Sequence, residues 1–145
     1  MDANYAVHGF VHVRDGTVTA FDVQGSGDTK PACINANGDI TGYFTDSSNV
    51  THGFLRISDG TITSFDVSGS SDTYPAAINS RSEIAGYWLG NRQSACLRAA
   101  DGTISTFDPR GSIATEALAI NSRARLPDST TTTRASTASC VRRTE

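Results

Sequence analysis

One stretch of this chain occurs three times, and that limits the fold more than any other feature. His8-Gly-Phe-Val-His-Val-Arg-Asp-Gly-Thr-Val-Thr-Ala-Phe-Asp22 returns as His52-Gly-Phe-Leu-Arg-Ile-Ser-Asp-Gly-Thr-Ile-Thr-Ser-Phe-Asp66. A looser copy runs Ala95-Cys-Leu-Arg-Ala-Ala-Asp-Gly-Thr-Ile-Ser-Thr-Phe-Asp108. The last aspartates are 44 residues apart (Asp22 to Asp66), then 42 (Asp66 to Asp108). A second block follows each copy: Pro31-Ala-Cys-Ile-Asn-Ala-Asn-Gly-Asp-Ile-Thr-Gly-Tyr43, then Pro75-Ala-Ala-Ile-Asn-Ser-Arg-Ser-Glu-Ile-Ala-Gly-Tyr87, then the start Ala117-Leu-Ala-Ile-Asn-Ser122. Repeats spanning 8–51, 52–93 and 94–122 therefore account for the chain up to residue 122. A fixed period of this kind builds one supersecondary unit several times over, each burying its face against the next.

Each unit reads as short strands. Asp15-Gly16, Asp59-Gly60 and Asp101-Gly102 separate β-rich runs, and Asp-Gly favours the type I′ hairpin turn. Asn37-Gly38 marks a second hairpin, and Arg81-Ser82 stands at its equivalent as a poorer turn. Between the hairpins run the loops Gly25–Lys30, Gly69–Tyr74 and Gly111–Glu116. Four strands in ~40–45 residues is the period of a propeller blade. Ile62 and Phe65 fall on opposite parities, as in a sheet covered on both faces or a strand with a bulge. The expected fold is all-β: a partial β-propeller-like array of nearly three four-stranded antiparallel blades in an open ring.

Composition agrees. Serine and threonine number 35, glycine 13, and 37% of residues are hydrophobic. No run of ~18 apolar residues could cross a membrane as a helix, and the residues of a coiled coil are lacking. Three cysteines do not make a disulfide framework. The net charge of -3 gives no pull toward nucleic acid or membrane.

That charge is uneven. Residues 1–122 carry 7 Lys+Arg against 13 Asp+Glu, whereas 123–145 carry 5 Arg against Asp128 and Glu145. The basic, threonine-rich segment 123–145 is expected to be disordered. Read one base out of frame, its codons can encode the words of a fourth repeat, so it is expected to be a frameshifted copy; the third bases of the coding DNA decide this. Asp2 stands 44 residues before Asp46, placing the start within a repeat. Both ends then suggest a fragment of a longer repeat protein, with a non-functional gene remnant as the alternative. Exposed blade edges would favour self-association.

The pairing of Ile-Asn-x-x-Gly-x-Ile-x-Gly-Tyr (Ile34 to Tyr43) with His52-Gly-Phe54 and Phe65-Asp-Val67 resembles the bacterial HAF-type extracellular repeat family, over residues 2–122. The resemblance implies propeller-like β repeats, an extracellular address and no enzymatic activity. No signal peptide is evident in this sequence, and the third copy lacks His-Gly-Phe.

Candidate chemistry is sparse. No cofactor, metal or catalytic residue is expected, and a propeller-type hydrolase or lyase is the less favoured alternative. His8 and His52 recur in successive repeats, which suits a structural role at strand starts; His12 does not recur. Asp22, Asp66 and Asp108 recur before Gly-Ser loops, as loop caps would. Gly25–Lys30 lacks the spacing of a phosphate loop. Asn35, Asn37 and Asp39 suit turn chemistry better than calcium ligation. Cys33 and Cys96 read as small buried apolar residues. Tyr43-Phe44 and Tyr87-Trp88 recur as an aromatic pair that suits the inter-blade core. The candidate ligand contacts are Trp88, Tyr87 and Tyr43; an exposed Trp88 would suit a carbohydrate or peptide contact, and the sequence names no partner.

Overall fold

The computed structural model describes residues 6–122; the expected disorder and frameshift of 123–145 lie outside them. Among the described residues all regular structure is β, in ten antiparallel strands. They are β1 (Gly9–His12), β2 (Val18–Phe21), β3 (Asp28–Ile34), β4 (Ile40–Thr45), β5 (Thr51–Arg56), β6 (Ile62–Phe65), β7 (Asp72–Ile78), β8 (Ile84–Leu89), β9 (Gln93–Arg98) and β10 (Ile104–Phe107). They form a two-stranded sheet β1-β2 and two four-stranded meanders, β3-β4-β5-β6 and β7-β8-β9-β10.

The sheets are out of phase with the sequence repeat. Each four-stranded blade joins the second block of one copy to the first block of the next. The array therefore holds two full blades preceded by the outer hairpin of another, which is the expected array of nearly three blades in a shifted phase. Residues after β10 begin the next unit: Ala114 bridges Gln93 in parallel, and Thr115 N donates to Gln93 O.

The hairpin turns differ from the expected type I′. Gly16 N donates to Val13 O and Val13 N to Thr17 O, and only Gly16 takes a positive φ. Asp15 instead keeps ordinary geometry, and its carboxylate accepts from Thr17 N at 2.8 Å. This is a type I turn closed by one left-handed residue, the three-residue hairpin loop with a G1 bulge. Five further loops close the same way, beginning at Asn35, Asp46, Ile57, Asn79 and Ala99. The left-handed place is filled by Gly38, Asn49, Gly60, Ser82 and Gly102. Arg81-Ser82 thus makes the same turn, with Ser82 at φ 60° bearing the strain.

Both faces of each blade are covered, which removes any reason for clean alternation. Ile62 packs with Val23, Ile40, Phe44 and Phe54 toward the preceding sheet. Phe65 packs with Leu55, Ile78 and Ile84 toward the following one. The bulge lies elsewhere, at Ala32 in β3 and Ala76 in β7. Cys96 is buried, but Cys33 is only half-buried at the margin of the Leu55 cluster, correcting the expectation for that residue.

Three glycines explain two of the repeated motifs. A Cβ on Gly42 or Gly86 would lie 2.2 or 2.3 Å from a carbonyl oxygen of the bulged neighbour strand. A Cβ on Gly53, in His-Gly-Phe, would lie 2.9 Å from the ring of Phe65, which belongs to Phe-Asp-Val. Pro31 and Pro75 sit on the edge strands β3 and β7, where a missing N–H breaks no ladder.

Candidate functional site

Most polar groups that recur in the sequence are committed to the scaffold. The clearest case is Asn35. Its side-chain oxygen accepts from Asn37 N and Asp39 N, both at 2.9 Å, and its amide donates to Asp39 and to the Asn79 carbonyl. Asn79 repeats this with Arg81 N, Glu83 N and the Asn121 carbonyl, the last at 3.0 Å. An asparagine ladder therefore ties each blade to the next, and it is why Ile-Asn recurs. Ser82 adds a bond to Asp39 across the same seam, at 2.6 Å.

The Gly-Ser loops are organised by threonine. Thr29 and Thr73 are fully buried, and their hydroxyl oxygens accept from Val23 N and Val67 N. Each also bonds the loop serine, Ser26 or Ser70. Asp22 and Asp66 are not loop caps, as the sequence suggested. They bond the histidine opposite in the hairpin, His8 Nδ1 to Asp22 at 2.9 Å and His52 Nδ1 to Asp66 at 2.9 Å. His52 Nε2 also meets Asp46 at 3.3 Å. Burial pulls the His52 pKa down, but the bonds to Asp66 and Asp46 outweigh it and leave it raised. The backbone N–H of Val50, chiefly, holds Asp46 below its ordinary value. Among the described residues no group of three or more His, Cys, Asp or Glu side chains could hold a metal ion.

Tyr43 and Tyr87 lie in an aromatic ladder through Tyr74, a residue that sequence reasoning passed over. Tyr43 meets Tyr74 edge-on at 5.2 Å, and Tyr74 stacks on Tyr87 at 5.0 Å. Lys30 opposes Tyr43 in register, as Tyr74 opposes Tyr87. Burial, then the nearby Glu116 carboxylate, raises the Tyr87 pKa. The two tyrosines are half-buried along the seam between blades. Arg56 over Phe21 and Arg98 over Phe65, both at 5.0 Å, repeat a second inter-blade contact.

One departure from the repeat borders a cleft. In the first full blade Phe44 is 7% exposed and carries the His52 ring on its face, 5.1 Å between centroids. In the second blade Trp88 replaces Phe44, and Ser94 replaces His52. The register is kept, Trp88 opposite Ser94 as Phe44 is opposite His52. A serine is too small to cover the indole. A cleft of about 740 Å³ lies there, lined by Trp88, Arg92, Ser94, Asp108 and the Gly69–Ser71 loop; a cleft of about 860 Å³ lies at the Gly25–Gly27 loop of the previous repeat, lined there by His8, Asp22 and Asp46. Asp108 loses its histidine and instead accepts from Ser94 Oγ at 2.9 Å and pairs with Arg92 at 3.2 Å. Two polar atoms remain without a protein partner there, Trp88 Nε1 and Asp108 Oδ1. The Trp88 ring lies across Gly90, where a Cβ would come within 2.5 Å of it.

The structure thus separates the three candidate residues: Tyr43 and Tyr87 share the ladder, while Trp88 faces the cleft. Arg92, Ser94 and Asp108 join Trp88 there. The signal in the sequence was the loss of His-Gly-Phe in the third copy.

No protein-family model matches the chain, and no curated protein matches it. Among solved structures it is similar to one titled "Streptogramin B lyase structure", at 23% identity and a TM-score of 0.49. The match covers 74% of this chain and 35% of that one, so the chain spans about a third of that protein's length. The propeller-like assignment follows from the meander order and the inter-sheet cores themselves.

Proposed function

We propose that this protein is a non-enzymatic β-repeat module of the HAF type, working outside the cell by binding, and that the Trp88 cleft is its ligand contact. The observation that carries this is the replacement of His52 by Ser94 at an otherwise repeated position. It leaves a half-buried indole beside a carboxylate and a guanidinium, with two buried polar atoms, Trp88 Nε1 and Asp108 Oδ1, lacking a protein partner. An aromatic face flanked by a few convergent polar groups suits a sugar ring, which stacks its C–H face and hydrogen-bonds through its hydroxyls. The recurring His–Asp and Asn pairs support binding over catalysis, because each is engaged in the same structural bonds in successive blades.

Trp88 is the sole tryptophan of the chain, so its fluorescence reports the cleft directly. Titration with a panel of neutral and acidic oligosaccharides is expected to give a saturable shift for at least one. The same ligand should lose its calorimetric heat with Trp88→Ala or Asp108→Asn. A panel that leaves both fluorescence and heat unchanged overturns the assignment of the cleft. Consumption of a substrate by the purified chain overturns the non-enzymatic reading.

A further inference from the structure

At one place in the strand pairing two phenol rings stand side by side. Tyr74 in β7 lies opposite Tyr87 in β8, in register. The ring centroids are 5.0 Å apart and the planes differ by only 19°, a stacked pair. In the preceding blade the same place holds Lys30 opposite Tyr43. In the following copy Glu116 stands where Tyr74 does. Among the described residues the pair therefore occurs once, and the preceding blade keeps the same register without it.

Side chains of a registered antiparallel pair leave one face of the sheet together, with Cβ atoms roughly 4.5–5.5 Å apart. Near-parallel rings held this way bring the carbons ortho to the two hydroxyls close to one another. Closing the remaining gap moves side chains and leaves the strands in register. Tyr74 and Tyr87 are 13 residues apart in sequence. An unfolded chain would hold them about 20 Å apart. Folding thus turns a chance encounter of two rings into a held one. Tyr43 also meets Tyr74, but edge-on at 70°, which sets the edge of one ring against the face of the other.

We infer that Tyr74 and Tyr87 form an oxidative cross-linking site, at which a one-electron oxidant derived from a peroxide joins them as dityrosine. Each phenol gives up one electron and its proton and becomes a phenoxyl radical. The two radicals combine through a carbon–carbon bond between ortho carbons. The hydrogens on those carbons then move to the oxygens, which restores both rings and both hydroxyls. Two electrons and two protons leave in all. The peroxide takes the electrons as its O–O bond breaks, and the protons pass to the medium. The new bond closes a loop around the Arg81-Ser82 turn and fastens β7 to β8. β7 is the strand that packs on β4 and β5 of the preceding blade, so the cross-link stiffens the seam. This inference does not rest on the reading of the Trp88 cleft, so the two can fail separately.

The test illuminates the full 145-residue chain with a ruthenium tris-bipyridyl sensitiser and persulfate, a peroxide that ends as two sulfate ions. The expected product is a monomeric chain with blue dityrosine fluorescence. Trypsin cuts after Arg56, Arg81 and Arg92, so mass spectrometry should find residues 57–81 joined to 82–92, two hydrogen masses below their sum. The yield per chain should be independent of protein concentration and fall several-fold in urea. Tyr74→Phe and Tyr87→Phe should each lower it about tenfold or more, whereas Tyr43→Phe should leave it within about twofold. The Tyr74 hydroxyl meets Thr51 Oγ1 only at 3.5 Å, so its removal keeps the fold, which unchanged circular dichroism confirms. A folded chain that gives no dityrosine, a yield indifferent to Tyr74→Phe, or a cross-link joining other peptides or two chains instead would each overturn the inference.

Discussion

Replacing Gly42 by alanine is expected to destabilise the protein by roughly 3–5 kcal/mol, and the structure says why. A Cβ there would stand 2.2 Å from Lys30 O, 2.7 Å from Pro31 Cα and 3.0 Å from Ala32 N. All three are backbone atoms of the bulged strand β3, so no rotamer change relieves the clash. Restoring a contact of 3.4 Å from 2.2 Å means parting β3 and β4 by about 1.2 Å. Ladder bonds near ~2.9 Å would stretch to about 4 Å, past the limit of a hydrogen bond. Two lost ladder bonds at about 1 kcal/mol each, with about 1–3 kcal/mol of overpacking, give the range stated. Restricting the unfolded chain works the other way, but by only about 0.4–1 kcal/mol.

Gly16→Ala is the control: φ is +89° and nothing lies within 4 Å, so only backbone strain of about 1–2 kcal/mol is expected. Urea unfolding followed by circular dichroism and Trp88 fluorescence reads both. At a slope of ~1–3 kcal/mol per molar, the Gly42→Ala midpoint should fall below that of Gly16→Ala by roughly 0.3–4 M. A Gly42→Ala midpoint at or above the control refutes the steric account of the Gly-Tyr motif.

Other outcomes follow from the same contacts. Asn79→Ala removes the partners of Arg81 N, Glu83 N and Asn121 O at a buried position, and should cost about 2–4 kcal/mol in urea unfolding; exposed Asn37→Ala should cost under about 1 kcal/mol. The raised pKa of His52 implies a contribution that is complete below about 6.5 and is lost as pH climbs through the higher folded-state value. The wild-type urea midpoint should therefore decline across that window relative to His52→Gln, and parallel curves for the two would remove the linkage. Burial pushes the Cys96 thiol up to about 12. Mass spectrometry after alkylation at pH 8 should find Cys96 unmodified in the native chain and modified once urea unfolds it. Thr73→Val should cost about 1–3 kcal/mol by orphaning Val67 N, with little change in packed volume.

The reach of sequence reasoning can be judged residue by residue. Asp-Gly and Asn-Gly placed the hairpins, because left-handed backbone is a local property of glycine. They did not give the turn type, since whether Asp15 also turns left-handed depends on strand twist and loop length. Arg81-Ser82 looked like a weak turn, yet Asn79 and Glu83 hold it closed from either side. Asp22 and Asp66 were visible as repeated acids, but their partners sit 14 residues away and meet only across a formed hairpin. Tyr74 drew no notice because Lys30 occupies its place in the previous copy. Trp88 stood out as a candidate without its neighbours, since the loss of a histidine six residues later matters only once β8 and β9 lie in register.

By itself the sequence determined the repeat, its period, the β class and the places where the chain must turn. Those follow from local backbone preference and from the periodic return of apolar residues. Tertiary structure decided the phase of the blades, and with it which strands are interior. It also decided that one tryptophan faces a cleft while its counterpart phenylalanine is buried. Burial is set by what packs opposite, and a residue's own identity does not carry that information.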